Sequence, residues 1–201
     1  MIKNVIFDFG CVLVYWSQHN LYDPYFGSKE KTDWFVDNIC TWEWNNQTDM
    51  GKSFAESVAE KIAEHPEWEK EIRMYWERWE DMLGGEVPGM SDWIHELKAQ
   101  GYKLYGLSNW SHETFPLVKD KYEVFRQLDG IVMSGYELVA KPDRRIYERL
   151  LERYGLKAEE CVFIDDRKEN VDAAAAKGIA TFHFDRNDYE GSCERLREIL
   201  L

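Results

Sequence analysis

No run of about 18 apolar residues occurs anywhere in the 201 residues, so a helix that crosses a bilayer is excluded at the outset. The opening residues lack the charged, apolar and small-residue pattern of a secretory leader and run straight into a strand-like segment, so a cytoplasmic protein is expected. Basic residues are scarce. Lys and Arg number 25 against 38 Asp and Glu, a formal charge of −13, and a chain without a basic stripe makes a poor partner for a nucleic-acid backbone. The four cysteines, Cys11, Cys40, Cys161 and Cys193, form no CxxC pair and have no histidine at zinc-ligand spacing, so they read as reduced structural thiols. Asp8-Phe9-Gly10 has the letters of a kinase metal motif. No Gly-rich loop or strand lysine precedes it and no His-Arg-Asp loop follows, so Asp8 needs another explanation.

What is present is enough apolar material for a core: 44% hydrophobic and 15% aromatic residues, too much for a solvated chain. The length fits one domain with a modest insertion. Short apolar runs recur, each followed by a helical pattern: Val5-Ile6-Phe7, Leu104 to Leu107, Gly130 to Met133, Cys161 to Ile164 and Ile179 to Phe182. Continuous rather than alternating hydrophobicity suits strands buried on both faces, which predicts an α/β doubly wound fold, Rossmann-like, with a mostly parallel sheet. Helices are expected to stop at Gly101 and Gly155, and Asp143 is the expected N-cap of the second.

From about Trp16 to Glu86 helical spacing takes over and no strand is expected. The predicted organisation is therefore a core of residues 1–15 and 87–201 with an inserted helical cap over 16–86. Seven of the nine tryptophans fall in this insertion, and those at helical spacing read as its core. Trp42 and Trp44, two apart in "CTWEWNNQTDMG", do not fit a helical stripe; with Asn45 and Asn46 they are expected to line a pocket.

Three apolar runs end in polar residues: Asp8, Ser108-Asn109 and Asp165-Asp166. The carboxyl ends of parallel strands face one crevice, so these residues should converge. Three carboxylates gathered there would drive one another's pKa values up unless a cation were present, and hard oxygen donors suit Mg²⁺. Asp166-Arg-Lys-Glu169 also has the spacing of a helix capping box, which would account for one of the three.

In order and spacing, "FDFGCVL" with Asp8, "LSN" with Ser108, "AKPDRRIY" with Lys141 and "FIDDRKENVDAA" with Asp165, Asp166 and Asn170 resemble the motifs of the haloacid dehalogenase-like superfamily. The likeness covers nearly the whole chain, including a helical cap after the first motif. It leans towards a branch with sugar-phosphate phosphatases such as glucose-1-phosphatase-like enzymes, and towards the phosphatase domain of certain epoxide hydrolases. The resemblance implies a Mg²⁺-dependent phosphatase acting on a small phosphorylated metabolite, a sugar phosphate foremost. Asp8 would be the nucleophile, with Ser108, Asn109 and Lys141 around it. Asp8, the Gly10 carbonyl, Asp165 and Asp166 would hold the metal, and Asn170 would steady Lys141. Two other readings are a metal-free 2-haloacid dehalogenase and a catalytically silent binding protein.

Position 10 departs from that pattern. Many phosphatases of the family carry an aspartate there to protonate the leaving group, and glycine has no group to do so. A leaving group that departs easily, or an acid lent by the cap, is the consequence. Glu43, Asp49 and His19 are the candidates, each also readable as an ordinary surface residue.

Overall fold

A computed structural model describes residues 1–200. Its strands are β1 (Asn4–Phe7), β2 (Val14–Trp16), β3 (Leu83–Glu86), β4 (Lys103–Ser108), β5 (Gly130–Met133), β6 (Cys161–Asp165) and β7 (Ala180–His183). Five of them form one parallel sheet in the order β5-β4-β1-β6-β7. β1 is central, with Val5 opposite both Leu104 and Val162. Its alternate side chains serve different layers: Val5 and Phe7 join a cluster with Trp93, Ile94 and Leu97, whereas Ile6 packs with Tyr147, Leu150 and Phe163 on the other face. Burial on both faces is why the run has no polar alternation.

The helices end as their sequences dictate. Asp143 caps Arg144–Tyr154 by accepting from the Arg145 amide, and Gly155 closes it in the left-handed conformation. In the insertion, four successive helices (Gln18–Phe26, Lys29–Asn38, Trp42–Asp49 and Phe54–Glu64) begin at Ser17, Ser28, Thr41 and Ser53. Each of those hydroxyls accepts from a first-turn amide. Aromatic contacts bind these helices together, among them Tyr22 with Phe35, Phe35 with Trp68 and Phe54 with Trp76. No helix among the described residues is long and apolar enough to cross a membrane.

One expectation fails here. The stretch expected to be free of strands contains β3, which pairs antiparallel with β2 at the root of the insertion. Leu83-Gly-Gly-Glu86 has no β-forming run, so this strand exists through its pairing rather than its propensity. Trp42 and Trp44 lie on one helix, started by Thr41, whose hydroxyl accepts from the Trp44 amide. The offset of two puts them on different sides of that helix, which is why they fit no single stripe.

Phe9, just past β1, packs among Trp110, Phe115 and Phe125, with its ring beneath Gly106. A methyl group at Gly106 would lie 2.4 Å from the Phe9 ring. Gly106→Ala is therefore expected to destabilise the fold by about 1–3 kcal/mol. Urea denaturation with an unchanged midpoint would contradict this packing.

Candidate active site

The chain reverses direction across the sheet between β1 and β6, which opens a crevice at their carboxyl ends. Asp8 sits there, one residue past β1, with its amide continuing the ladder to the Ile164 carbonyl at 2.9 Å. Three donors converge on Asp8 Oδ1: the Phe9 amide at 2.7 Å, Ser108 Oγ at 2.9 Å and the ammonium of Lys141 at 2.8 Å. The Asp8 carboxylate is thus oriented from three directions before any ligand arrives.

Lys141 is a buried lysine, its side chain 1% exposed, between two carboxylates. Its Nζ donates to Asp165 Oδ2 at 2.7 Å. Burial works against its charge, but Asp165 and Asp8 more than offset that and raise its pKa. Its backbone is clamped as well. Asn109 Nδ2 donates to the Lys141 carbonyl at 2.9 Å and the Lys141 amide donates back to Asn109 Oδ1 at 2.8 Å. Asn109 therefore places the lysine rather than facing the reacting group with its amide.

Asp165 has no exposed surface, and both its oxygens are engaged by Lys141, Asn170 Nδ2 and the Arg167 amide. Burial raises its pKa, Asp8 adds to the rise and Lys141 opposes it. Asn170 reaches Lys141 through Asp165, which it holds and which in turn holds the lysine. Asp166 faces the crevice, its pKa pushed up to about 6 by burial and then by Asp8. It is not the cap of the following helix, because Arg167 is the N-cap residue of Lys168–Ala175 and makes no side-chain cap. Asp8, Asp165 and Asp166 each offer an oxygen within 4.8 Å of the others. An excess of buried negative charge built from hard oxygens fits a divalent cation such as Mg²⁺.

These groups open into a cavity of about 660 Å³ between the sheet and the helical insertion. Asp8, Gly10, Ser108, Asn109, Lys141 and Asp166 are on its floor. Of the four residues expected to line it from the insertion, Trp42 and Asn45 do. Trp44 and Asn46 do not: Trp44 is packed against Tyr75 with its indole N–H on the Ser57 carbonyl, and Asn46 follows on a side of the helix away from the cavity. Among the candidate acids, Glu43 is exposed and outside the cavity. His19 lines it with its ring between Asp23 and Asp33. Asp49 lines it as a buried residue, contrary to its reading as a surface residue.

Sequence reasoning missed several wall residues: Trp16, Trp79, Trp110 and the basic rim of Arg167, Lys168 and Arg186. The Arg167 guanidinium lies 4.7 Å from the Trp42 ring centre and so spans core and insertion. Trp110 directly follows Ser108-Asn109, a large aromatic just beyond polar strand-end residues, and that was the one legible signal.

A doubly wound α/β core with an oriented carboxylate, a buried lysine and an acidic pair at the strand ends is the active-site design of a hydrolase. A family model for haloacid dehalogenase-like hydrolases matches residues 2–178, and the chain belongs to that family. A sesquiterpene phosphatase, astK of Aspergillus oryzae, is 33% identical over 111 residues, which cover 55% of this chain and 56% of that one. The chain spans about half the length, or less, of the curated relatives it matches. A predicted HAD-like hydrolase from Porphyromonas gingivalis superposes with a TM-score of 0.75 at 21% identity, covering 98% of both chains. The HAD family enzyme bt-2542 of Bacteroides thetaiotaomicron, in complex with magnesium and inorganic phosphate, gives 0.66 at 23% identity over 90% of this chain and 93% of that one. These two likenesses, at such identities, concern the fold.

Proposed function

We propose that the protein is a Mg²⁺-dependent phosphatase that acts on a small phosphorylated metabolite through an aspartyl-phosphate on Asp8. The observation that carries this reading is the convergence of Phe9 N–H, Ser108 Oγ and Lys141 Nζ on one oxygen of Asp8, in the cavity that also holds Asp166. Asp8 attacks phosphorus, and the new Asp8–phosphorus bond replaces the bond to the leaving oxygen, which splits one hard displacement into two easier ones. Lys141 offsets the charge gathered between the carboxylate and the phosphoryl group as a fixed point charge. Ser108 holds the Asp8 oxygen at the start of the step.

Asp8, Asp166 and the Gly10 carbonyl would hold the ion directly, and Asp165, whose oxygens already serve Lys141, Asn170 and Arg167, would act on it through water. When bound, Mg²⁺ supplies Lewis-acid polarisation of the phosphoryl oxygens. The insertion over 16–86 would act as the cap on the core of 1–15 and 87–201 and carry substrate specificity. Its indole faces, with Trp110, suit the body of a sugar or hydrocarbon, and Arg167, Lys168 and Arg186 suit the phosphate. A cavity of this size takes a small molecule. A metal-free dehalogenase fits less well, because one ammonium would face three carboxylates beside an anionic substrate.

The test is phosphate release from a panel of sugar and aryl phosphates, with Mg²⁺, with EDTA, and with Mg²⁺ restored. Release that EDTA abolishes and Mg²⁺ restores is expected. Release indifferent to chelation, or halide release from 2-haloacids without metal, would end this reading.

A further inference from the structure

We propose that Asp49, reaching in from the insertion, is the acid–base residue that Gly10 cannot be. This rests on the phosphatase reading of the same cavity. Asp49 ends the helix Trp42–Asp49 and is 7% exposed, and what it shows faces the cavity that holds Asp8. The position is built from both sides. Asn45 Nδ2 donates to Asp49 Oδ2 at 2.9 Å, and Asn45 is held by the Tyr75 hydroxyl at 2.6 Å. From the core, Ser134 Oγ donates to the Asp49 carbonyl.

The chain just beyond is equally confined. A methyl group at Gly51 would meet Leu138 and lie 3.3 Å from the Gly135 carbonyl, so insertion and core approach closely here. Burial, with Asp8 adding to it, pushes the Asp49 carboxyl up to about 8, so near neutral pH it carries a proton to give. Neither other candidate matches this, since Glu43 is outside the cavity and His19 is tied to Asp23 and Asp33.

In the first step Asp8 bonds to phosphorus, and the electron pair of the breaking phosphorus–oxygen bond goes to the leaving oxygen, which takes the Asp49 proton and departs as an alcohol. In the second, water attacks phosphorus and gives its proton to the Asp49 carboxylate. The Asp8–phosphate bond breaks, which returns both carboxyl groups to their starting states and frees inorganic phosphate.

The experiment compares β-glycerophosphate, a poor leaving group, with p-nitrophenyl phosphate, a good one, in Mg²⁺. Asp49→Asn should lower turnover of the alkyl ester by about 10²–10⁴-fold and leave the nitrophenolate burst within about threefold of wild type. Acid quench followed by mass spectrometry should then find phosphate accumulated on Asp8, because the second step has lost its base. A methyl group at Gly10 would meet nothing within 4 Å, so Gly10→Asp is sterically open and in the Asp49→Asn background should restore alkyl-ester turnover. Equal losses in the rate of the first, phosphoryl-transfer step on both esters, or no loss on either, would overturn the assignment and leave the phosphatase reading intact. If Asp49→Asn does not fold, a series of monoesters on the wild type decides instead: kcat/KM values, which report the first step, nearly independent of leaving-group pKa support the acid, and a steep dependence overturns it. No phosphate release by wild type from any ester overturns both readings.

Discussion

Asp8→Asn will reduce phosphate release by roughly 10⁴-fold or more while the fold stays as stable as wild type or gains stability. The two halves have one cause. Asparagine keeps the shape and can still accept from the Phe9 amide and Ser108, but an amide oxygen is no match for a carboxylate as a nucleophile. Removing this charge takes one anion from a cluster of three carboxylates and one ammonium, and Lys141 keeps Asp165 at 2.7 Å. Rates on a responsive phosphate ester and a urea denaturation midpoint measure the two effects. A variant that still turns over within tenfold of wild type would show that the attacking group is elsewhere.

Lys141→Met should do the opposite to the fold. It fills nearly the same space but leaves Asp165, which has no exposed surface, and Asp8 facing each other without a cation. Breaking a buried pair by removing one partner costs about 3–5 kcal/mol. Adding Asp165→Asn to Lys141→Met should recover part of that loss, because the second change removes the uncompensated charge; the shortfall from additivity measures the coupling. On the phosphatase proposal, activity should fall in both variants, since Lys141 is given there the task of offsetting the charge of the phosphoryl group. Denaturation curves that place Lys141→Met within about 0.5 kcal/mol of wild type would mean that the lysine is not the counter-charge the distances describe.

The sheet and its motifs were legible for a physical reason. A strand buried on both faces has to be apolar throughout, so the runs of β1, β4 and β6 stand out without an alignment, while β5 and β7 at the sheet edges are only partly buried. Polar residues that interrupt such a run at its carboxyl end have one place to go. Asp8, Ser108 and Asp166 meet in the cavity, and Lys141, from the loop before Arg144–Tyr154, joins them. β3 was not legible because Gly84 and Gly85 carry no propensity, and the strand depends on its partner β2.

The insertion shows the limit more sharply. Trp42, Trp44, Asn45 and Asn46 fall within five consecutive residues, yet Trp42 and Asn45 line the cavity and Trp44 is core. Asp49 reads like any surface acid until the Ser134 hydroxyl of the core and the cavity it lines are seen against it. By itself the sequence determined which residues must be buried and which chemistry collects at the strand ends, because hydrophobic runs and their polar ends are local properties of the chain. Which insertion residues face that chemistry was decided only by tertiary structure, because burial and pKa depend on neighbours that lie dozens of residues away along the chain.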